Sequence, residues 1–117
     1  MDDKALIRIK SLLKQINLVL SDTKDIDLTE YTIKSQLVRA TCFSISQIGE
    51  QMIRLQEKIG DKYPDVPWLG ARSMRNMIVH DYDKVDLQQV SKTIKNDLPQ
   101  LEEVFLKIEK DYEKKTA

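Results

Sequence analysis

The chain has 117 residues, the length of one ordinary domain, and can bury roughly two-thirds of its unfolded surface around a single core. Hydrophobic residues make up 41% and charged residues 32%, with only 3 glycines and 3 prolines, which favours a helical protein over a sheet protein or a disordered tail. The 19 lysines and arginines equal the 19 aspartates and glutamates in number, so the zero net charge gives no indication of a broad basic surface of the kind that coats nucleic acid. Any contact with a nucleic acid must therefore be local.

Cysteine usage and hydropathy indicate the compartment. The single cysteine, Cys42, lies in an apolar stretch and is predicted to be a buried structural thiol. Because one cysteine cannot form an internal disulfide, the chain suits the reducing cytoplasm. The stretch MDDKALIRIK lacks the apolar run of a signal peptide, and no segment reaches the roughly 18 apolar residues of a membrane span. We expect a cytoplasmic protein that does not enter a membrane.

The first predicted helix carries apolar residues at alternating spacings of three and four, which place them on one stripe. These residues are Leu6, Ile9, Leu13, Ile16 and Leu20. Asp2 and Asp3 suit its start. The polar stretch SDTKDID ends the pattern, and Asp27 with Glu30 three residues later has the form of a capping box. We expect this pair to open the second helix.

The second helix is predicted to be long, because apolar residues keep a helical period from Ile33 to Ile59 and Gly60 is a natural stop. Roughly thirty residues would span about 45 Å. Gly49, inside this run, costs about 1 kcal/mol of helix stability relative to alanine. The glycine therefore predicts either a kink or the close approach of a neighbouring helix.

The third helix follows the one substantial predicted loop, GDKYPDVP at residues 60–67. Pro67 suits the first turn of this helix. In the next stretch, WLGARSMRNMIVH, one face carries Trp68, Ala71, Met74 and Ile78. The side chains predicted to turn away from that face are Arg72, Arg75 and Asn76.

The last third of the chain predicts more helix. Asp86 can cap a fourth helix, and apolar residues at helical spacing continue to Tyr112. Pro99 either kinks one long helix or starts a fifth, capped by Asn96 or Asp97, and we favour two helices in line. Four to five amphipathic helices predict an all-α fold, an antiparallel bundle forming one domain over residues 1–117.

The polar residues of the third helix cluster in RNMIVHDY, residues 75–82, which holds the only histidine of the chain. Arg75 and His80 point roughly 140° apart on a regular helix, whereas Asn76 and His80 share a face. Unwinding at the helix end and the reach of the arginine would let both groups meet one phosphate, with Tyr82 at the same rim. In an alternative interpretation His80 is a helix-end residue stabilised by the dipole, and Arg72 or Arg75 pairs with acids on another helix.

The inventory of side chains limits the chemistry. One histidine and one cysteine without close partners do not make a zinc site. Cleavage of RNA by its own 2′-hydroxyl needs a base, an acid and positive charge on the phosphorane. If imidazoles serve as both base and acid, two chains must contribute, because each chain has one. The catalytic hypothesis thus requires a symmetric homodimer that pairs Arg75 and His80 across a cleft.

The segment from Arg75 to Tyr82 resembles the R-x4-H-x-Y signature of HepT-like proteins, within the HEPN superfamily of helical ribonucleases. Three further stretches resemble landmarks of that family: QIGE in the long helix, YPDVPW before the motif and NDLPQL after it. Together they extend from about Val38 to Leu101. The resemblance implies a HEPN-like helical bundle.

The resemblance also implies a function. Such proteins are metal-independent endoribonucleases without a cofactor, and they act as toxins of toxin–antitoxin pairs. The antitoxin is a minimal nucleotidyltransferase that transfers AMP from ATP to the tyrosine of the motif. Carried over to this chain, Arg75 would bind the phosphate, His80 would be the acid or base, Asn76 would support them, and Tyr82 would accept AMP. Adenylyl groups there would oppose RNA entry by bulk and negative charge.

Further cations are candidates for RNA binding. They are Arg39 and Arg72. Arg54 ranks below Arg39, because Arg39 lies nearer the apolar stripe of the helix that both share. Surface ion pairs are an equally good explanation for all three arginines. An alternative function is a non-catalytic helical module that docks a nucleotidyltransferase or binds nucleotide. A purely structural alternative makes Arg75 and His80 end residues of an unrelated bundle.

Overall fold

A computed structural model describes residues 3–116 of the chain, with side chains described for residues 4–114. Five α-helices follow one another: α1 (Asp3–Asp22), α2 (Gln36–Ile59), α3 (Trp68–His80), α4 (Leu87–Lys92) and α5 (Leu98–Thr116). The described residues contain no strand, so the predicted all-α bundle is confirmed. None of the helices within residues 3–116 is long and apolar enough to cross a membrane.

The helix α1 lies against both α2 and α5 and supplies one wall of the core. Its predicted stripe is confirmed, since Ile9, Leu13 and Ile16 are buried and Leu6 and Leu20 pack against the core in part. Asp3 begins the helix as predicted, whereas Asp2 lies outside the described residues. Burial of this apolar stripe therefore stabilises the packing of α1 against the core.

The connection between α1 and α2 corrects the predicted start of α2. Asp27 caps a separate 3-10 turn, Leu28–Glu30, by accepting a hydrogen bond from the backbone N–H of Thr29 at 2.9 Å. Leu28 is buried, so the turn is anchored, and the chain is extended again at Tyr31. The predicted capping box with Glu30 is therefore wrong, and α2 begins only at Gln36, after Ser35.

The helix α2 has 24 residues and spans about 36 Å at about 1.5 Å per residue, less than predicted. It ends at Gly60 as predicted, although Gly60 keeps a right-handed φ of −57°. A hydrogen bond ties the loop that follows to the first residue of α3: the indole N–H of Trp68 donates to the carbonyl of Tyr63 at 3.0 Å. The Trp68 ring also packs nearly perpendicular to the Phe105 ring in α5, with centroids 6.0 Å apart. These contacts fix the start of α3.

Helical backbone continues from α4 to α5 through a π-helical turn, Thr93–Asp97. Asp86 caps α4 as predicted, accepting from the N–H of Gln88 at 2.9 Å. The predicted caps at Asn96 or Asp97 are wrong, because both residues lie within the π turn. Pro99 has no N–H to donate and its ring would crowd the carbonyl four residues earlier, so the wider turn accommodates it without a break.

Candidate active site

The α2–α3 contact brings Arg75 into the molecule rather than out into solvent. The guanidinium Nη1 of Arg75 donates to Oε1 of Glu50 at 2.5 Å, and the arginine side chain is only 21% exposed. The prediction that Arg75 turns away from the packed face is therefore wrong. The alternative prediction, that Arg75 pairs with an acid on another helix, is confirmed.

Gly49 explains why the two helices come this close. A Cβ atom at Gly49 would lie 2.6 Å from Cβ of Arg75 and 3.0 Å from the carbonyl oxygen of Ala71. The first distance is shorter than real Cβ atoms show and the second is unusually tight, so a residue larger than glycine would force α3 away from α2 at this point. The predicted close approach at Gly49 is confirmed, and it places the stem of Arg75 directly on the backbone of α2.

The Arg75 guanidinium retains donors beyond its ion pair. An arginine has five N–H groups, and the hydrogen bond to Glu50 uses one of them. Nε of Arg75 is buried and has no hydrogen-bond partner among the described residues. The planar, permanently charged group is therefore held by one carboxylate with hydrogen-bonding capacity left over. Such a group suits binding of a phosphate.

His80 is the last residue of α3 and is exposed. Asn76 lies one helical turn earlier and is also exposed, and no hydrogen bond joins the two side chains in the part of the chain that the structure describes. Within that same part, no hydrogen bond or ion pair holds the imidazole. The ring is thus accessible for proton transfer to a bound molecule.

Tyr82 lies just beyond the end of α3, in the 3-10 turn Tyr82–Lys84. Its hydroxyl donates to the carbonyl of Ile33 at 2.9 Å, which ties the end of the motif to the segment before α2. Burial raises the pKa of Tyr82 and the neighbouring Cys42 adds to this rise, whereas the positive charge of Arg39 lowers it. The phenol is therefore a protonated donor at neutral pH.

The remaining candidate residues divide into exposed cations and one buried thiol. Arg39 and Arg72 are exposed, as is Arg54. Arg39 is close enough to Tyr82 for its charge to act on the phenol. Cys42 is 1% exposed, and burial raises the pKa of its thiol to about 11, so the predicted structural thiol is confirmed. No group of three or more His, Cys, Asp or Glu side chains among the described residues could hold a metal ion.

Sequence reasoning missed Glu50. The QIGE stretch served as a family landmark and Gly49 was assigned a packing role, but the carboxylate beside it received none. One signal was available: a glycine that predicts close helix contact also predicts that its neighbours reach across that contact. The only arginines that α3 offers to such a carboxylate are Arg72 and Arg75.

Comparison with known proteins agrees with the motif. The family model described as "Ribonuclease HepT-like" matches residues 4–108. A candidate RNase of Methanocaldococcus jannaschii is 31% identical over 89% of this chain and 90% of its own length. A second candidate RNase of that organism is 29% identical over 89% of this chain and 86% of its own length. A probable ribonuclease HepT of Thermococcus cleftensis is 26% identical over 87% of this chain and 93% of its own length.

No solved structure matches the chain significantly. The family model nevertheless covers most of the described residues, including all of α2 and α3. The predicted enzyme class, a ribonuclease, is the class of that family. The chain belongs to the HepT-like ribonuclease family.

Proposed function

We propose that the chain is a metal-independent endoribonuclease that cleaves RNA through attack by the neighbouring 2′-hydroxyl. A base takes the 2′-hydroxyl proton, the 2′-oxygen forms a bond to phosphorus, and the 5′-oxygen leaves with a proton from an acid. The products are a 2′,3′-cyclic phosphate and a 5′-hydroxyl. The observation that carries this proposal is an immobilised Arg75 guanidinium with donors left over, on the same helix as an exposed His80.

The arginines, the asparagine and the histidine of α3 then each have a role. Arg75 binds the scissile phosphate and stabilises the negative charge that develops on the phosphorane. His80 transfers protons, and Asn76 supports the imidazole once RNA is bound. Arg72, one turn before Arg75 on the solvent side, and Arg39, beside Tyr82, contact neighbouring phosphates.

The site requires a second copy of the chain if imidazoles are both the base and the acid. Apolar side chains suited to that contact lie on the same helix faces as the ion pair. Val79 is 54% exposed one turn after Arg75, and Phe43 is 64% exposed two turns before Glu50. Burial of these two side chains between symmetry-related copies would bring two α3 helices together.

Tyr82 is proposed as the acceptor of AMP from a nucleotidyltransferase antitoxin, with the chain as the toxin of the pair. The phenolic oxygen attacks the α-phosphate of ATP, pyrophosphate leaves, and the phenolic proton is released. The hydroxyl can then no longer donate to Ile33, so the modified side chain leaves that contact. The added phosphate sits near the end of α3 and repels RNA.

The decisive experiment is cleavage of a defined RNA by the purified chain beside His80→Ala. We expect the substitution to abolish cleavage, while far-UV circular dichroism shows unchanged helix content because His80 is exposed at a helix end. Product ends should carry 2′,3′-cyclic phosphate. Cleavage by His80→Ala at the wild-type rate, or 3′-hydroxyl products, would exclude the mechanism.

Two contacts favour a second candidate, a non-catalytic module that docks a nucleotidyltransferase or binds nucleotide. The Arg75–Glu50 ion pair and the Tyr82–Ile33 hydrogen bond each have an evident role in holding the bundle together. Such a module would bind a nucleotidyltransferase yet leave RNA intact in the same assay. RNA integrity therefore separates the two candidates.

A further inference from the structure

We infer that Glu50 is a positioning residue that holds the Arg75 guanidinium in the orientation needed for phosphorane stabilisation. This inference rests on the proposed ribonuclease function and deepens it. Glu50 would touch neither substrate nor reacting atoms, and would act entirely through Arg75. Nothing in the R-x4-H-x-Y pattern includes this residue, because it lies on another helix, 25 positions earlier.

The first argument is the geometry of the pair. Arg75 has several rotatable bonds, and a free surface arginine would have to be ordered by the substrate at an entropic cost. Here its stem is packed on Gly49 and its Nη1 is bound to Glu50, so both ends of the side chain are fixed before RNA arrives. Groups that stabilise transition-state charge act most strongly when they are fixed in advance.

The second argument is burial. The Arg75 side chain is 21% exposed and the Glu50 side chain 34%, so the carboxylate compensates a partly desolvated charge at the helix contact. Without it, the guanidinium would gain by turning toward water, away from its place on α2. The one carboxylate therefore decides where the positive charge of Arg75 lies.

The third argument distinguishes positioning from simple charge repulsion. A carboxylate near the RNA phosphate would weaken binding if it acted alone, so its removal would lower KM and leave kcat unchanged or higher. A carboxylate that acts by fixing Arg75 has the opposite signature. Its removal lowers kcat, because the lost interaction belongs to the transition state.

The experiment measures steady-state cleavage of a fluorescently labelled single-stranded RNA of mixed sequence. In Glu50→Ala we expect kcat to fall by about 10- to 100-fold, by analogy with the loss of a partner that orients a metal ligand. Glu50→Gln keeps an oxygen acceptor of the same size and should retain more activity. Glu57→Gln removes an exposed carboxylate two turns further along the same helix face and should match wild type.

The decisive measurement is a double-mutant cycle of Glu50→Ala and Arg75→Ala. If Glu50 acts only through Arg75, then adding Glu50→Ala to Arg75→Ala lowers kcat no further. An equal fold-loss in both backgrounds would overturn the inference. So would wild-type kcat in Glu50→Ala, or a lower KM as its sole effect.

A readout independent of turnover separates positioning from loss of folding. The Nε–Hε resonance of Arg75 in a nitrogen–proton correlation spectrum should be sharp in the wild-type chain and broadened in Glu50→Ala, while backbone resonances elsewhere stay in place. Global loss of backbone dispersion in Glu50→Ala, with Glu50→Gln as active as wild type, would instead mean a structural role and would overturn the inference.

The two proposals fail in different ways. If wild type cleaves RNA, His80→Ala does not, and Glu50→Ala behaves as wild type, only the positioning role is overturned. If neither wild type nor His80→Ala cleaves, the ribonuclease function is overturned, and the positioning role falls with it.

Discussion

Arg75 and His80, the residues of the R-x4-H-x-Y motif that lie within α3, are held in opposite ways. Arg75, in the middle of the helix, is packed on Gly49, paired with Glu50 and mostly shielded from water. His80, at the helix end, is exposed, and within residues 3–116 no hydrogen bond or ion pair restrains its ring. In the proposed mechanism the charge-stabilising group is therefore fixed in advance, whereas the proton-transfer group has to be oriented by the substrate or by a second copy of the chain.

The largest effect is expected for a heterodimer of one wild-type and one His80→Ala subunit, isolated by two different affinity tags. If the two imidazoles of a dimer serve one cleft as base and acid, the heterodimer should lose about 10²- to 10⁴-fold of kcat, as expected for loss of one general acid or base. Retention of half the wild-type activity would show that each His80 works alone. If analytical ultracentrifugation showed that the fully active species is a monomer, a cleft shared by two chains would be excluded.

Substitution of Arg75 tests the fixed residue of the two. Arg75→Ala should lower kcat by about 10²- to 10³-fold, the cost of losing one preorganised donor to developing charge. Arg75→Lys keeps the charge but not the planar fork, so it cannot hold Glu50 and a phosphate at once and should recover only part of the activity. Arg54→Lys provides the matched control at an exposed arginine of α2 that has no role in the proposed mechanism. Full activity in Arg75→Lys would show that charge alone matters.

Gly49→Ala tests whether the close helix contact positions Arg75. The new Cβ would collide with Cβ of Arg75 and the carbonyl of Ala71, so we expect α3 to shift and the free energy of unfolding to fall by about 1–3 kcal/mol. Cleavage should fall as well. Gly70→Ala is the control, because its Cβ would meet nothing within 4 Å, and helix propensity predicts a gain of up to about 1 kcal/mol. Thermal denaturation of both variants measures the difference, and equal stability would refute the packing role.

Tyr82→Phe makes a smaller change at the half-buried tyrosine that ends the motif. Loss of the hydrogen bond to Ile33 should cost about 1 kcal/mol of unfolding free energy, with RNA cleavage close to wild type. The variant should also accept no AMP from a nucleotidyltransferase, measured by intact mass after incubation with ATP. A mass increase of one adenylyl group in Tyr82→Phe would place the acceptor elsewhere. Strong loss of cleavage would give the phenol a role in the reaction.

Cys42 provides the smallest expected effect and tests packing beneath Tyr82. Because burial raises the pKa of the thiol to about 11, the reactive thiolate is scarce at neutral and mildly alkaline pH and forms only as the pH rises toward that value. We expect very slow alkylation of the folded chain by iodoacetamide and fast alkylation in denaturant. Fast reaction of the folded chain would mean that the end of α3 is loosely packed. The freedom of the His80 ring, compared with the fixed Arg75 side chain, would then result from this loose packing.

Local patterns in the sequence predicted a large part of the fold. The stripe of α1, the loop before α3, the cap at Asp86 and the glycine contact at Gly49 all follow from spacing or from the needs of one residue. The start of α2 could not be predicted in this way. Asp27 caps whichever turn its neighbours form, and burial of Leu28 selected a short 3-10 turn. The π turn before Pro99 was missed because a widened turn has no composition signal of its own.

The sequence by itself determined which residues are the candidates for the proposed chemistry: a single histidine, an arginine five positions before it and a tyrosine two positions after it. Only the tertiary structure decided how they are held. Helical periodicity indicates which face of α3 is apolar, but it contains neither the distance to α2 nor the rotation of one helix against the other. Those depend on side chains far apart in the chain, and so the pairing of Arg75 with Glu50 emerged only when Gly49 let the two helices meet.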